Sequence, residues 1–241
     1  LEASVVRILH QYGYEEIRTP MIEKTDVFAG TVGESSDIVQ KEMYSFEDRN
    51  SDRLTLRPEG TAGCARAVLE HQLYRTLPLR LWYLGPMFRY ERPQRGRHRQ
   101  FHQIGVESYG LAGPNMDVEI IQLGARLWQA LGFDNLTLEL NSLGTAVTRR
   151  EYRKVLTEYF SSHDQSLDED SKKRLRTNPL RILDSKTPEM AEVVKNAPPI
   201  IDYLDSESSD HFEEVKELLS RSGIKFFDNS KLVRGLDYYT K

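Results

Sequence analysis

The sequence holds one cysteine in 241 residues, no uninterrupted apolar run long enough to cross a membrane, and neither common glycine-rich nucleotide motif. Each absence excludes something. A lone Cys64 has no partner for an internal disulfide, so a disulfide-stapled fold is excluded and a reducing, cytoplasmic setting is expected. Without roughly 18 consecutive apolar residues there is no membrane-spanning helix, and no charged-then-apolar leader marks secretion. The lack of G-x-x-x-x-G-K-[ST] and of G-x-G-x-x-G removes the P-loop and Rossmann routes to nucleotide binding. Internal repeats and low-complexity tracts are also missing.

What is present suits a folded chain. Apolar residues make up 39% and charged residues 29%, enough core for one large domain or two small ones. Lys and Arg number 33 against 37 Asp and Glu, a formal net charge of −4 that by itself argues against a nucleic-acid partner. The distribution argues otherwise. Within FRYERPQRGRHRQ, five arginines (Arg89, Arg92, Arg95, Arg97, Arg99) accompany a single acid, Glu91, so about +4 sits here and about −8 elsewhere. Pro93 and Gly96 mark a turn, and the flanks LRLWYLGPMFRYE and FHQIGVESYG read as extended. The pattern predicts two antiparallel strands joined by a long arginine-rich loop. That loop is either a solvated hairpin tip or an anion clamp; arginine's planar, always-charged fork suits phosphate oxygens.

Elsewhere, residues 1–12 read as an amphipathic helix stopped by Gly13, and residues 17–22 as a short extended piece interrupted by Pro20, suited to an edge strand or an interface. Residues 42–47 and 53–57 form a hairpin. A helix over residues 61–73 takes Thr61 as its cap, and another spans 117–131 before a strand over 136–140. From about residue 145 to 222 the chain turns helical and highly charged, and strand-like sequence returns at 226–239. The reading is α+β: a sheet-bearing core over 1–144, a helical insertion over 145–225, and a return to the core over 226–241.

Three places invite chemistry. Arg57-Pro58-Glu59-Gly60-Thr61 lies between a strand and a helix. Its Glu59 is either a carboxylate stabilising a helix start or a ligand group, and Gly60 lets a ligand approach the backbone. Period two places Phe101, Gln103, Gly105 and Glu107 on one strand face, which is a ligand floor or an edge strand's solvent face. In LVRGLDYY, residues 232–239, Arg234 stands among apolar residues and calls for an anionic partner or ligand. His98 and His102 alone do not make a metal site.

Together these residues resemble the class II aminoacyl-tRNA synthetases, and among them the histidine enzymes. The Pro20 segment is similar to motif 1, and Phe88-Arg89-Tyr90-Glu91 with the loop and Phe101-His102-Gln103 to motif 2. Residues 56–61 (LRPEGT) and 232–239 resemble the two segments particular to the histidine enzymes, and the helical insertion resembles the bacterial type.

The resemblance implies an antiparallel sheet with flanking helices. It implies activation of histidine by ATP with Mg²⁺, transfer to tRNA, and a homodimer formed through the motif 1 region. It also implies residue roles. Arg89 and Arg234 would be catalytic, holding the α-phosphate and the histidine carboxylate from opposite sides. Glu59, Gly60, Thr61 and Gln103 would surround the α-amino group. Glu107 and Tyr239 would address the imidazole, with Tyr238 lining the pocket. Arg97 and His98 would reach the outer phosphates, Phe101 would stack on adenine, and Glu91 would accept from its amine. Gln94 and Arg95 would face the tRNA acceptor end.

Family members continue past the position of Lys241 into motif 3 and an anticodon-binding domain, so the sequence is expected to be a fragment, or the ordered part, of something longer. Two other readings remain: a regulatory paralogue partnering ATP phosphoribosyltransferase, and a tRNA-sensing domain of a larger protein.

Overall fold

The computed structural model of the chain describes residues 1–32, 38–92 and 94–233. These form two compact units, residues 1–134 and residues 135–233. The architecture is α+β, with helices and small sheets in both.

The first unit opens with α1 (Glu2–Gln11), whose buried stripe is Val5, Ile8 and Leu9. Gly13 follows at φ +74°, a left-handed conformation that glycine adopts without strain. Next come β1 (Glu15–Glu16), β2 (Ile22–Lys24), α2 (Thr25–Val32), β3 (Tyr44–Glu47) and β4 (Arg53–Leu56). The unit continues with α3 (Thr61–Glu70), β5 (Leu79–Phe88), β6 (Gln100–Tyr109) and α4 (Pro114–Ala130).

β5 and β6 pair antiparallel from Leu79↔Tyr109 to Phe88↔Gln100, and β1 lies parallel along the other side of β5. A smaller sheet runs β2-β4-β3, its hairpin turned by Asp48, whose Oδ1 accepts the amides of Asn50 and Asp52.

Alternation along β5 and β6 decides what each face does. Trp82, Leu84, Ile104 and Val106 pack with Val5, Ile8, Leu9, Tyr14 and Leu123, placing α1 and α4 on that side. Leu81, Tyr83 and Met87 face the other way and pack on Cys64 and Val68 of α3. Each such buried side chain contributes roughly 1.5–3 kcal/mol of hydrophobic stabilisation, which fixes the register and hence the second face.

The second unit contains β7 (Glu139–Leu140), α5 (Ala146–Ser162), α6 (Glu169–Thr177), α7 (Ala191–Lys195), α8 (Ser206–Arg221) and β8 (Phe227–Asp228), with β7 and β8 parallel. Tyr152, Leu156, Phe160, Ile182, Met190 and Ile200 are at its core. Three helices start on side-chain caps: Thr145 accepts from the amide of Thr148, Asp168 from that of Ser171, and Asp205 from that of Ser208. Asp205 also accepts the hydroxyls of Thr145 and Thr148 at 2.9 and 3.1 Å, binding the starts of α5 and α8 together.

Several local expectations change. Residues 17–22 do not form one strand: Ile17 donates its amide to the carbonyl of Trp82, Pro20 has no donor, and pairing resumes only at Ile22. The strand expected over 136–140 contracts to β7, and α4 begins at Pro114, where a missing amide hydrogen does no harm at a helix start. Among its described residues the return segment yields β8 alone; those from 234 onward lie outside the described residues.

Candidate active site

The β5–β6 register sets a row of side chains. Leu81, Tyr83, Gly85 and Met87 stand directly across from Glu107, Gly105, Gln103 and Phe101. The face predicted from period two is therefore the face that meets α3, so these residues line a floor beneath the start of that helix. Gln103 is part-buried there, and its side-chain oxygen Oε1 is buried without a hydrogen-bond partner. An orphaned buried acceptor has its partner missing, because burying one unpaired costs roughly 1–3 kcal/mol.

The segment 57–61 forms one wall. Glu59 is buried, and its two oxygens accept the amides of Thr61 and Ala62 at 2.7 and 2.8 Å. Thr61 is thus the first residue of α3 and not its cap; Gly60 takes that place, and a longer carboxylate reaches over it. Arg57, also buried, donates from Nε to the carbonyl of Pro86 and from a terminal nitrogen to the carbonyl of Thr19, at 2.9 and 2.8 Å. Burial lowers its pKa, with Tyr83 and Glu23 opposing the shift. It braces the segment against the end of β5.

Glu107 is part-buried on the floor, and the hydroxyl of Tyr83 donates to its Oε1 at 3.3 Å. The Tyr83 hydroxyl also lies 3.5 Å from that of Thr61, the outer limit of a hydrogen bond. Burial pushes the Glu107 carboxyl up; the hydroxyls of Thr61 and Tyr83 oppose that, and neighbouring Glu59 adds to it. Burial also raises the Tyr83 phenol strongly, so it stays a protonated donor. Behind this pair, burial pushes the Cys64 thiol up to about 11, which keeps it protonated and unreactive.

At the far end of the floor Arg89 is held in three ways. Its amide donates to the carbonyl of Arg99, its Nε donates to the carbonyl of Pro58 at 2.8 Å, and its guanidinium lies over the Phe101 ring. It has no carboxylate partner among the described residues.

The loop beyond is less free than a five-arginine clamp suggests. Arg97 pairs with Glu91 at 3.4 Å, and Arg99 stacks over Tyr90 with 4.0 Å to the ring centre. Gln94 and Arg97 close a tight turn through Gly96 at φ +82°. The oxygen that meets Arg97, Glu91 Oε2, is buried and makes no hydrogen bond. Gln94, Arg95, Arg97 and His98 are exposed.

The structure thus brings together Glu59, Gly60, Thr61, Arg89, Phe101, Gln103 and Glu107, with Glu91, Arg97 and His98 on the adjoining loop. Arg234, Tyr238 and Tyr239 lie outside the described residues. Sequence reasoning missed Tyr83, and it named Arg57 only as part of its segment, without a role. For Tyr83 the available signal was its place in the alternation of β5, opposite a glycine. Among the described residues no group of three or more His, Cys, Asp or Glu stands ready to hold a metal ion. No helix among them is long and apolar enough to cross a membrane.

Comparison with known proteins bears on the family and the fold. A family model described as histidyl-tRNA synthetase matches residues 1–240. The crystal structure of apo S. aureus histidyl-tRNA synthetase is 36% identical, with a TM-score of 0.74, and the match covers 99% of this chain and 54% of that one. The chain therefore spans about half the length of that relative. A Bacillus halodurans protein described as an ATP phosphoribosyltransferase regulatory subunit/histidyl-tRNA synthetase shares the fold at 23% identity and a TM-score of 0.68, over 99% of this chain and 64% of that one. Histidyl-tRNA synthetase from Nostoc sp. PCC 7120 shares it at 19% identity and a TM-score of 0.60, over 99% and 56%. With a family match over nearly its whole length, the chain belongs to the histidyl-tRNA synthetase family.

Proposed function

We propose that this chain activates histidine with ATP to histidyl-adenylate and passes the histidyl group to the 3′ end of tRNA(His), as a histidine–tRNA ligase. The observation that carries the reading is Arg89: a guanidinium fixed through Nε and stacked on Phe101, with no carboxylate partner among the described residues, at the end of a floor bearing Gln103 and Glu107. In this reading the histidine carboxylate attacks the α-phosphorus, the new oxygen–phosphorus bond forms, and pyrophosphate leaves. The protein aligns the two anions and offsets their charge rather than forming covalent bonds itself.

Arg89 holds the α-phosphate and the histidine carboxylate, and Arg234 acts from the opposite side. The Glu59 carboxylate, the Thr61 hydroxyl and the orphaned Gln103 oxygen take the α-amino group. Glu107 and Tyr239 take the two imidazole nitrogens, beside Tyr238. A neutral imidazole offers one donor and one acceptor, and a pocket that requires both rejects analogues by roughly 10⁴–10⁵. Phe101 stacks on adenine, Glu91 accepts from its amine, and Arg97 with His98 meets the outer phosphates. Mg²⁺ enters with the nucleotide. Gln94 and Arg95 face the tRNA acceptor end, the helical insertion lies over the acceptor stem, and the motif 1 region pairs two copies.

Amino-acid-dependent exchange of pyrophosphate into ATP tests this. Exchange driven by histidine and by no other amino acid supports it. Preference for another amino acid overturns the specificity, and silence while histidine still binds favours the regulatory reading.

A further inference from the structure

The phenol of Tyr83 touches both the floor and the wall beside it. Its hydroxyl donates to Glu107 Oε1 at 3.3 Å and lies 3.5 Å from the Thr61 hydroxyl, so one buried group spans strand β6 and the start of α3. Its ring has one place to sit. A methyl group added at Gly60 or at Gly105 would fall directly on the ring carbons. Gly105 is the cross-strand partner of Tyr83, and Gly60 is the residue just before α3. The two glycines therefore let backbone from β6 and from the start of α3 come close against the ring, and only 4% of Tyr83 is exposed.

We propose that Tyr83 is a positioning residue for histidine selection: it occupies one oxygen of Glu107, leaves the other aimed at the ligand, and ties that carboxylate to Thr61. The inference rests on the histidine-site reading above and extends it to a residue outside the resemblance's motifs. A carboxylate free to rotate accepts hydrogen bonds from many directions. With Oε1 engaged by a clamped phenol, Glu107 presents one directed acceptor, suited to a single N–H of a neutral imidazole. The ordering is done before the ligand arrives, so less freedom is lost on binding. The same phenol couples the α-amino side, through Thr61, to the imidazole side.

Calorimetric titration of histidine into the whole chain tests this, with Tyr83→Phe, Glu107→Gln and the double variant. Tyr83→Phe keeps the ring and removes the hydroxyl; histidine affinity should fall about tenfold. Because Tyr83 acts through Glu107, the double variant should bind no more weakly than Glu107→Gln alone. Gly105→Ala keeps every polar atom but displaces the ring, and should weaken histidine binding in the same non-additive way. Wild-type affinity in Tyr83→Phe, or penalties that multiply in the double variant, would overturn the inference and leave the histidine site standing. Failure of the wild-type chain to bind histidine would overturn the site reading and this inference with it.

Discussion

Arg89 donates from Nε to the carbonyl of Pro58 over 2.8 Å, so this arginine is hung from the backbone of the segment that carries Glu59. The tether takes the inner nitrogen and leaves the outer fork free. Lysine has a single charged terminus and cannot do both. Arg89→Lys should therefore lower histidine-dependent pyrophosphate exchange by about 10²–10³, the range for removing one group that stabilises developing charge. Circular dichroism should show the fold retained. Exchange within a factor of about three of wild type would remove Arg89 from the chemistry, since a loss of one group there is worth about 10² or more.

Glu59 is a structural group before any ligand binds, because its oxygens hold the amides of Thr61 and Ala62. Glu59→Ala should destabilise the chain by about 0.5–2 kcal/mol, the usual cost of a lost helix cap. Urea unfolding followed by circular dichroism measures it. An unchanged midpoint would mean that solvent replaces the carboxylate without penalty.

Glu107 gives a pH signature. Burial raises its carboxyl in the folded state, so between its unfolded and folded values the native chain binds more protons than the unfolded one. Unfolding free energy then falls as pH rises through that window, which opens near the ordinary glutamate value of about 4.3. Glu107→Gln removes the term. The stability of the variant relative to wild type should therefore increase with pH from about 4.3 upward and level off above the folded value. A difference that stays flat across the window would contradict the burial argument.

Asp205 gives the opposite sign in the second unit. Its amide and hydroxyl partners, first among them the Ser208 amide, hold its carboxyl down at about 2. Stability from the ionised form is present above the ordinary aspartate value and is lost as pH falls through about 2. Asp205→Ala should melt at a lower temperature than wild type at neutral pH, and the gap should close in strong acid. A gap that persists there would assign the effect to packing.

Cys64, the one cysteine, is buried in the α3 core, and burial pushes its thiol up to about 11. Iodoacetamide at pH 8 should leave it unmodified in the folded chain and label it in urea, as mass spectrometry would read. Rapid labelling without denaturant would show that α3 separates from the sheet.

Much of this was legible in residue order. The alternation of 101, 103, 105 and 107 put these residues on one face because a strand's period is fixed; that this face meets α3 and the other takes the Trp82 core came from the packing. The arginine-rich loop was legible as a place but not in its internal pairing. That Arg97 goes to Glu91 and Arg99 to the Tyr90 ring depends on a turn geometry that composition does not specify. Thr61 looked like a cap because threonine usually is one; the longer reach of Glu59 displaced it. Tyr83 was hidden in an apolar run, where a tyrosine reads as core until its hydroxyl is seen against Glu107.

The central claim is that this face separates histidine recognition from nucleotide binding, and Glu107→Ala tests it most directly. Histidine and ATP affinities should be measured separately by calorimetry on the variant and the wild-type chain. The account predicts loss of histidine binding with ATP affinity essentially unchanged. Equal loss of both, or retention of both, would contradict it.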